Sequence, residues 1–252
     1  MVQRARSVTV SRSTTSFARP PAGPRARRSV AARANSATLG ERFTSARELV
    51  QSISRTIDES VVSENDGSPP VSDVADCLTT WVEQGGVLPE EFLRPSKEGY
   101  GRRALHVDKD GKFGIIIMTW SPGQSTSIHD HDDMWCVECV YSGRIRVLAY
   151  DVDKVAEADD LYLLTPAERG EAGVGEAGML IPPKDIHELS NALEESLSCT
   201  IHVYGGHMEQ CQVFTPVSDH DQDLKKTRGG LFRKESRSLY FTRCPDWTCD
   251  HI

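Results

Sequence analysis

Apolar positions recur at helical spacing in the first part of this chain and alternate after it. Leu39, Phe43, Ala46, Leu49, Val50, Ile53 and Ile57 return every three or four residues, which predicts a helix over 39–60 with Thr44 or Ser45 near its start. Residues 64–72 hold Asn, Asp, Gly and two prolines and predict a loop. A second helix is predicted over 72–84, with Val74, Cys77, Leu78 and Trp81 on one face and Gly85-Gly86 ending it. A short helical turn over 89–93 precedes Pro95. From Tyr100 the period becomes two. Strands are predicted near 100–107, 113–120, 126–131, 136–141, 144–150, 178–182, 198–205, 209–215 and 238–243. Residues 216–236 are polar and charged and read as a solvated loop. Many short strands separated by Gly, Pro and Asp turns indicate a closed or double-sheet β architecture preceded by two helices.

Charge changes the picture at the N-terminus. The first 40 residues hold eight arginines and no acid, so of a formal net charge of −8 the remainder carries −16. A body that acidic excludes a nucleic-acid partner, which needs a basic face. No apolar run reaches the length that spans a bilayer, so no membrane partner is expected. Residues 1–38, rich in Arg, Ser, Thr, Ala and Pro and without an apolar core, read as an organelle transit peptide, for plastid or mitochondrion; otherwise the chain is cytoplasmic. Residues 39–98 then form a helical region, 99–245 the β domain, and 246–252 a tail. The seven cysteines are an odd, scattered set, which fits reduced thiols rather than a disulfide framework. Cys244, Cys249 and His251 match no ligand spacing and are read as part of the tail.

The chemistry is concentrated in Gly123–Gly143, where His129 and His131 are one residue apart. Side chains at i and i+2 of a strand share a face, so both imidazoles aim at one point. Neutral imidazole binds iron, copper, nickel or zinc, and glycines on either side suit a short strand between turns. Further on, His187 stands in L-I-P-P-K-D-I-H-E-L-S-N. Together G-x5-H-x-H and P-x4-H-x3-N (Pro182, His187, Asn191) resemble the two motifs of the cupin superfamily. The resemblance implies a mainly β fold, a cupin jelly-roll barrel with N-terminal helices. Where cupins usually carry a glutamate, seven residues before Gly143, this chain has Cys136. Glu138 shares that strand face and is expected to sit deeper. Three neutral histidines without a carboxylate favour an anionic thiolate and leave three positions of an octahedral ion for substrate and O2.

Several further stretches resemble the cysteine dioxygenase family over roughly residues 70–245. Tyr100-Gly101-Arg102 is similar to its Y-x-R, Ser127-Ile128-His129-Asp130-His131 to its S-I-H-D-H, and Thr200-Ile201-His202-Val203-Tyr204 to its S-x-H-x-Y. Cys136 falls where the animal enzymes carry the cysteine that cross-links to a tyrosine, which implies a Cys136–Tyr204 thioether. The resemblance implies Fe(2+) on His129, His131 and His187. It implies the carboxylate of L-cysteine on Arg102 with help from Tyr100, and His202 and Tyr204 beside the bound thiol. The implied reaction adds both atoms of O2 to the thiol and gives cysteine sulfinate, a step in cysteine catabolism towards hypotaurine and taurine. A monomer is expected, with the small thiol and O2 as its partners. The W-S-P-G-Q before the metal strand and the Tyr204-Gly205-Gly206 continuation resemble bacterial thiol dioxygenases, so 3-mercaptopropionate is the alternative substrate, and a metal-dependent cupin lyase the more distant one. His106, His207, His220 and His251 receive no role.

Overall fold

In the computed structural model, residues 43–62, 68–156, 160–217 and 229–244 are described. The expected transit peptide and the 246–252 tail lie outside them. The chain opens with α1 (Ala46–Val62) and α2 (Val71–Glu83) and a 3-10 turn at Glu90–Leu93. It continues through β1 (Gly101–Val107), β2 (Gly114–Trp120), β3 (Ile128–His129), β4 (Cys136–Ser142), β5 (Arg144–Ala156) and β6 (Leu161–Gly173). It ends with β7 (Ala177–Leu180), β8 (His187–Asn191), β9 (Ser198–Tyr204), β10 (Gln210–Pro216), β11 (Gly230–Ser238) and β12 (Thr242–Arg243).

Helix α1 begins at a capping box. The Glu48 amide donates to Ser45 Oγ (3.2 Å), and Glu48 Oε2 accepts from the Ser45 amide (2.8 Å). The strands form a six-stranded sheet, β12-β1-β2-β9-β4-β7, and a closed set, β10-β11-β6-β5-β8-β3. Alternation divides the first sheet cleanly. Ile115, Ile117, Val137, Cys139, Ile201 and Val203 point to one face and pack with Leu49, Ile53, Leu78 and Trp81 of the helices. The opposite face carries Ala104, Ile116, Met118, Cys136, Val140 and Tyr204, which meet Ile145, Val147, Leu189 and Val213 from the closed set. The fold is therefore a mainly β cupin barrel with helices on one outer face, and its interior lies between the two groups of strands. Among the described residues no helix is long and apolar enough to cross a membrane.

Four strands depart from the expectation. β11 occupies 230–238, where a solvated loop was expected; its partner is β10, in register from Gln210↔Ser238 to Pro216↔Phe232. Of the rest of that expected loop, 218–228 lie outside the described residues. The run expected at 238–243 divides between the end of β11 and the two-residue β12. β6 and β8 were not anticipated. β6 pairs with β5 along its length while burying only Leu164 and Ala172. A ladder that solvent covers on both faces has no period-two apolar signal to read.

Candidate metal centre

The interior face of the six-stranded sheet is set by direct cross-strand pairing. Cys136 lies opposite Tyr204, Glu138 opposite His202 and Val140 opposite Thr200. Arg102 lies opposite Met118, which is itself opposite Thr200. Arg102, Cys136, Glu138, His202 and Tyr204 therefore share one face. The closed set supplies the histidines: His129 of β3 pairs with His187 of β8.

His131 reaches the same point by a different route from the one expected. β3 ends at His129, because Asp130 turns its carboxylate onto the backbone. Asp130 Oδ1 accepts from the amides of Gln212 (2.8 Å) and Asp132 (3.2 Å). Asp132 and Asp133 then take positive φ of 53° and 59°. His131 stands in this turn, held by Asp185, whose Oδ2 accepts from both its amide (2.9 Å) and its Nδ1 (3.2 Å). The bond fixes the proton on Nδ1 and leaves the Nε2 lone pair facing inward. His129 Nδ1 is likewise engaged, by the Ser127 carbonyl at 3.0 Å. The three rings form a triangle with centroid separations of 5.2, 4.9 and 5.0 Å. One donor from each lies within 4.8 Å of the others.

Glu138 enters this cluster, which corrects the expectation that it would sit deeper than the site. Pairing of β4 with β9 is regular from Cys136 to Val140, so no bulge is involved. Its Oε1 is 3.5 Å from His187 Nε2, 3.9 Å from His131 Nε2 and 3.1 Å from His202 Nδ1. His131 Nε2, both ring nitrogens of His187 and Glu138 Oε2 are buried without a hydrogen-bond partner. Buried polar atoms are nearly always partnered, and convergent imidazole and carboxylate donors fit a divalent transition metal.

Electrostatics support the same reading. Burial, together with His187 and His131, holds the His129 imidazole well below its usual range. Burial, opposed by Glu138, brings His187 down to about 4. Both rings are neutral at pH 7, as ligation requires. Burial would raise the Glu138 carboxyl, but the facing His187, His202 and His131, with a hydrogen bond from His202, pull it the other way. Burial also pushes the Tyr204 phenol and the Cys136 thiol well up, so both keep their protons.

A chain of hydrogen bonds runs behind His202. Trp120 Nε1–H donates to Thr200 Oγ1 at 3.0 Å, and Thr200 Oγ1 lies 2.7 Å from His202 Nε2. The arrangement that uses every proton has Thr200 donating to Nε2, which places the His202 proton on Nδ1, facing Glu138. Tyr100 stacks on Trp120 with centroids 4.8 Å apart, and so sits at the head of this chain. The Tyr204 ring lies 6.2 Å from His202 and 6.1 Å from His131. Arg102 is half-buried, with Nε and Nη2 enclosed and unpartnered. It and Tyr100 also line an open depression of about 270 Å³ together with Ser96, Glu98 and Tyr240. Arg103 points to the other side, where Nη1 donates to Thr119 Oγ1 at 3.1 Å.

One residue of the site escaped the sequence reading and another was misjudged in depth. Asp185 has a signal in hindsight, an acid two positions before His187, and Glu138 was noticed but misplaced. Cys136 and Cys139 have C-x-x-C spacing, yet the strand sends them to opposite faces and both are free thiols. His207 is partly exposed beside Glu209. Replacing Asp185 by asparagine leaves His131 misoriented, and metal affinity is expected to fall about 10- to 100-fold, measured by chelator competition on the purified protein.

The curated proteins similar to this chain include cysteine dioxygenase type 1 of Danio rerio, 22% identical over 142 residues, 55% of this chain and 69% of that protein. The protein of the same name from Rattus norvegicus is 23% identical over 119 residues, 47% of this chain and 57% of that protein. Among solved structures, a Klebsiella pneumoniae protein with a double-stranded β-helix domain is 17% identical, with a TM-score of 0.36 over 48% of this chain and 91% of that one. The cupin domain of Schizosaccharomyces pombe Cnp3 is 11% identical, with a TM-score of 0.35 over 49% of this chain and 69% of that one. The family described as cysteine dioxygenase type I matches residues 90–216, half of the 252-residue chain and the part that carries Arg102, the three clustered histidines and the His202–Tyr204 pair. The chain belongs to the cysteine dioxygenase type I family.

Proposed function

We propose that this protein is an Fe(II)-dependent thiol dioxygenase that converts L-cysteine and O2 to cysteine sulfinate. The observation that carries the reading is the pairing, inside one barrel, of a three-histidine cluster with an enclosed and unpartnered guanidinium. His129, His131 and His187 would hold the iron, which when bound supplies the one-electron chemistry that lets O2 react with a thiol. Arg102 offers a planar fork to the substrate carboxylate, and its two unpartnered nitrogens are what such a ligand would satisfy. Tyr204 remains a neutral phenol and donates a proton towards the substrate side of the site. His202, oriented by Thr200 and Trp120, positions the polar wall beside it. Cys136, directly opposite Tyr204, is placed to form a thioether with that ring, which would lock the phenol in place. Closure by Ile116, Met118 and Leu189 keeps water from competing for the reactive centre.

The overall change is RSH + O2 → RSO2H, so both oxygen atoms end on sulfur and no external reductant is consumed. The sulfinate is a rung of thiol oxidation that is not readily reversed, which suits a committed catabolic step towards hypotaurine and taurine. 3-Mercaptopropionate is the competing substrate: it has the same thiol and carboxylate, and the W-S-P-G-Q and Y-G-G stretches favour it. Residues 1–38 are proposed to direct the protein to an organelle. The test is oxygen uptake and sulfinate formation by iron-loaded protein with each thiol. Uptake matched one-to-one by cysteine sulfinate is the expected result. Faster turnover of 3-mercaptopropionate would reassign the substrate, and no uptake with either thiol would overturn the reading.

A further inference from the structure

The reading above, on which this inference rests, assigns the metal to three histidines and leaves Glu138 without a task. Glu138 is 3% exposed, lies on the interior face of β4, and has Oε2 enclosed with no hydrogen-bond partner. A carboxyl oxygen enclosed in such a place without a partner is costly unless it coordinates a metal. His202 Nδ1 lies 3.1 Å from Oε1 and serves that oxygen alone, which leaves Oε2 of Glu138 without a partner. Its other close neighbours are the inward nitrogens of His131 and His187, at 3.9 and 3.5 Å from Oε1. Donor atoms around one six-coordinate ion at ordinary bond lengths are separated by roughly 3 Å when adjacent and roughly 4 Å when opposite. The spacing of Glu138 from the two imidazoles falls within that range. A second donor group, His131 with Cys136 and Glu138, lies within the same 4.8 Å reach and shares His131 with the histidine triangle.

We propose that Glu138 is a fourth protein ligand, so that the centre is three imidazoles and one carboxylate. The carboxylate comes from a position two residues beyond the one that Cys136 occupies. Two consequences follow for the proposed reaction. The carboxylate lowers the net charge of the centre by one relative to three imidazoles alone. It also fills one of the positions that three histidines leave open, so the thiol substrate depends more heavily on Arg102 for its orientation.

The test uses metal-free full-length protein titrated with Co(II), which avoids O2, in competition with a chromophoric chelator; visible absorption of the Co(II) form reports the ligand set. Glu138→Gln keeps the shape and removes the charge. It is expected to weaken Co(II) binding about 100-fold and to alter the absorption bands. Glu138→Asp keeps the charge but withdraws the oxygen by one methylene, and an intermediate loss is expected; it gives the same reading if the glutamine variant does not fold. Wild-type affinity and an unchanged spectrum in either folded variant would overturn the proposal. The two readings fail separately. Glu138-dependent Co(II) binding without sulfinate formation would retain the ligand and remove the dioxygenase. Sulfinate formation with Glu138-independent binding would do the reverse.

Discussion

Replacing His187 by alanine is expected to abolish metal retention and thiol oxidation together while leaving the fold in place. His187 is fully buried at the start of β8, pairs directly with His129 across β3, and completes the triangle with His131. Removal of one of three imidazoles takes away a direct ligand. The loss in affinity should therefore exceed the roughly 10- to 100-fold seen when only a supporting hydrogen bond is removed. Metal analysis after dialysis would show near-stoichiometric metal in the parent and essentially none in the variant, with oxygen uptake at background. Unfolding does not account for that outcome. A buried large-to-small change ordinarily costs about 2–5 kcal/mol. Here both ring nitrogens lack partners in the metal-free protein. Each such atom carries a penalty of about 1–3 kcal/mol that the substitution relieves. The two effects offset, and the urea midpoint of the metal-free variant should lie close to that of the metal-free parent. A variant that still holds metal would remove His187 from the centre.

How far the site was legible from sequence depended on whether a residue's position is set within one strand or between strands. The i, i+2 pairs were readable because strand geometry alone places them: His202 with Tyr204 on β9, and Cys136 with Glu138 on β4. His129 and His131 were also brought together correctly, although the strand stops between them and the Asp130 turn, not the pleat, aims the second ring. Depth was not readable. Whether Glu138 or Cys136 lies level with the histidines depends on how β4 is stacked against β3 and β8, which are in a different group of strands and share no ladder with it. No hydrophobic pattern encodes that offset. Asp185 was missed for a related reason, since it acts from the turn before β8 on a residue 54 positions away. In the fold, α2 was anticipated to within a residue at each end because Val74, Leu78 and Trp81 bury one stripe against the sheet. β6 and β11 were missed because most of their side chains face solvent on both sides, and the few buried ones, Leu164 and Ala172 on β6 and Phe232 on β11, are too sparse to show a period.

Arg102→Ala is expected to lower kcat/KM for L-cysteine by roughly 10²- to 10³-fold, about 3–4 kcal/mol of lost transition-state stabilisation. Arg102 projects from β1 onto the face that carries Glu138, His202 and Tyr204, with Nε and Nη2 buried and unpartnered. Enclosed donors of this kind are pre-aligned for a planar acceptor, and a carboxylate can take both at once. Cysteamine, which has the thiol and amine of cysteine but no carboxylate, separates binding from scaffolding. The parent should oxidise it poorly. The alanine variant should oxidise it no worse than the parent, so that the preference for cysteine over cysteamine collapses. A merely structural arginine would, when removed, depress both substrates in parallel and leave the ratio intact. Arg102→Lys should recover only part of the loss, because an ammonium supplies charge without the two-pronged geometry. Stability should change little, since the metal-free protein gains nothing from those two unpaired nitrogens. An unchanged cysteine-to-cysteamine ratio in the alanine variant would move carboxylate recognition elsewhere in the barrel and leave the buried guanidinium without its proposed ligand.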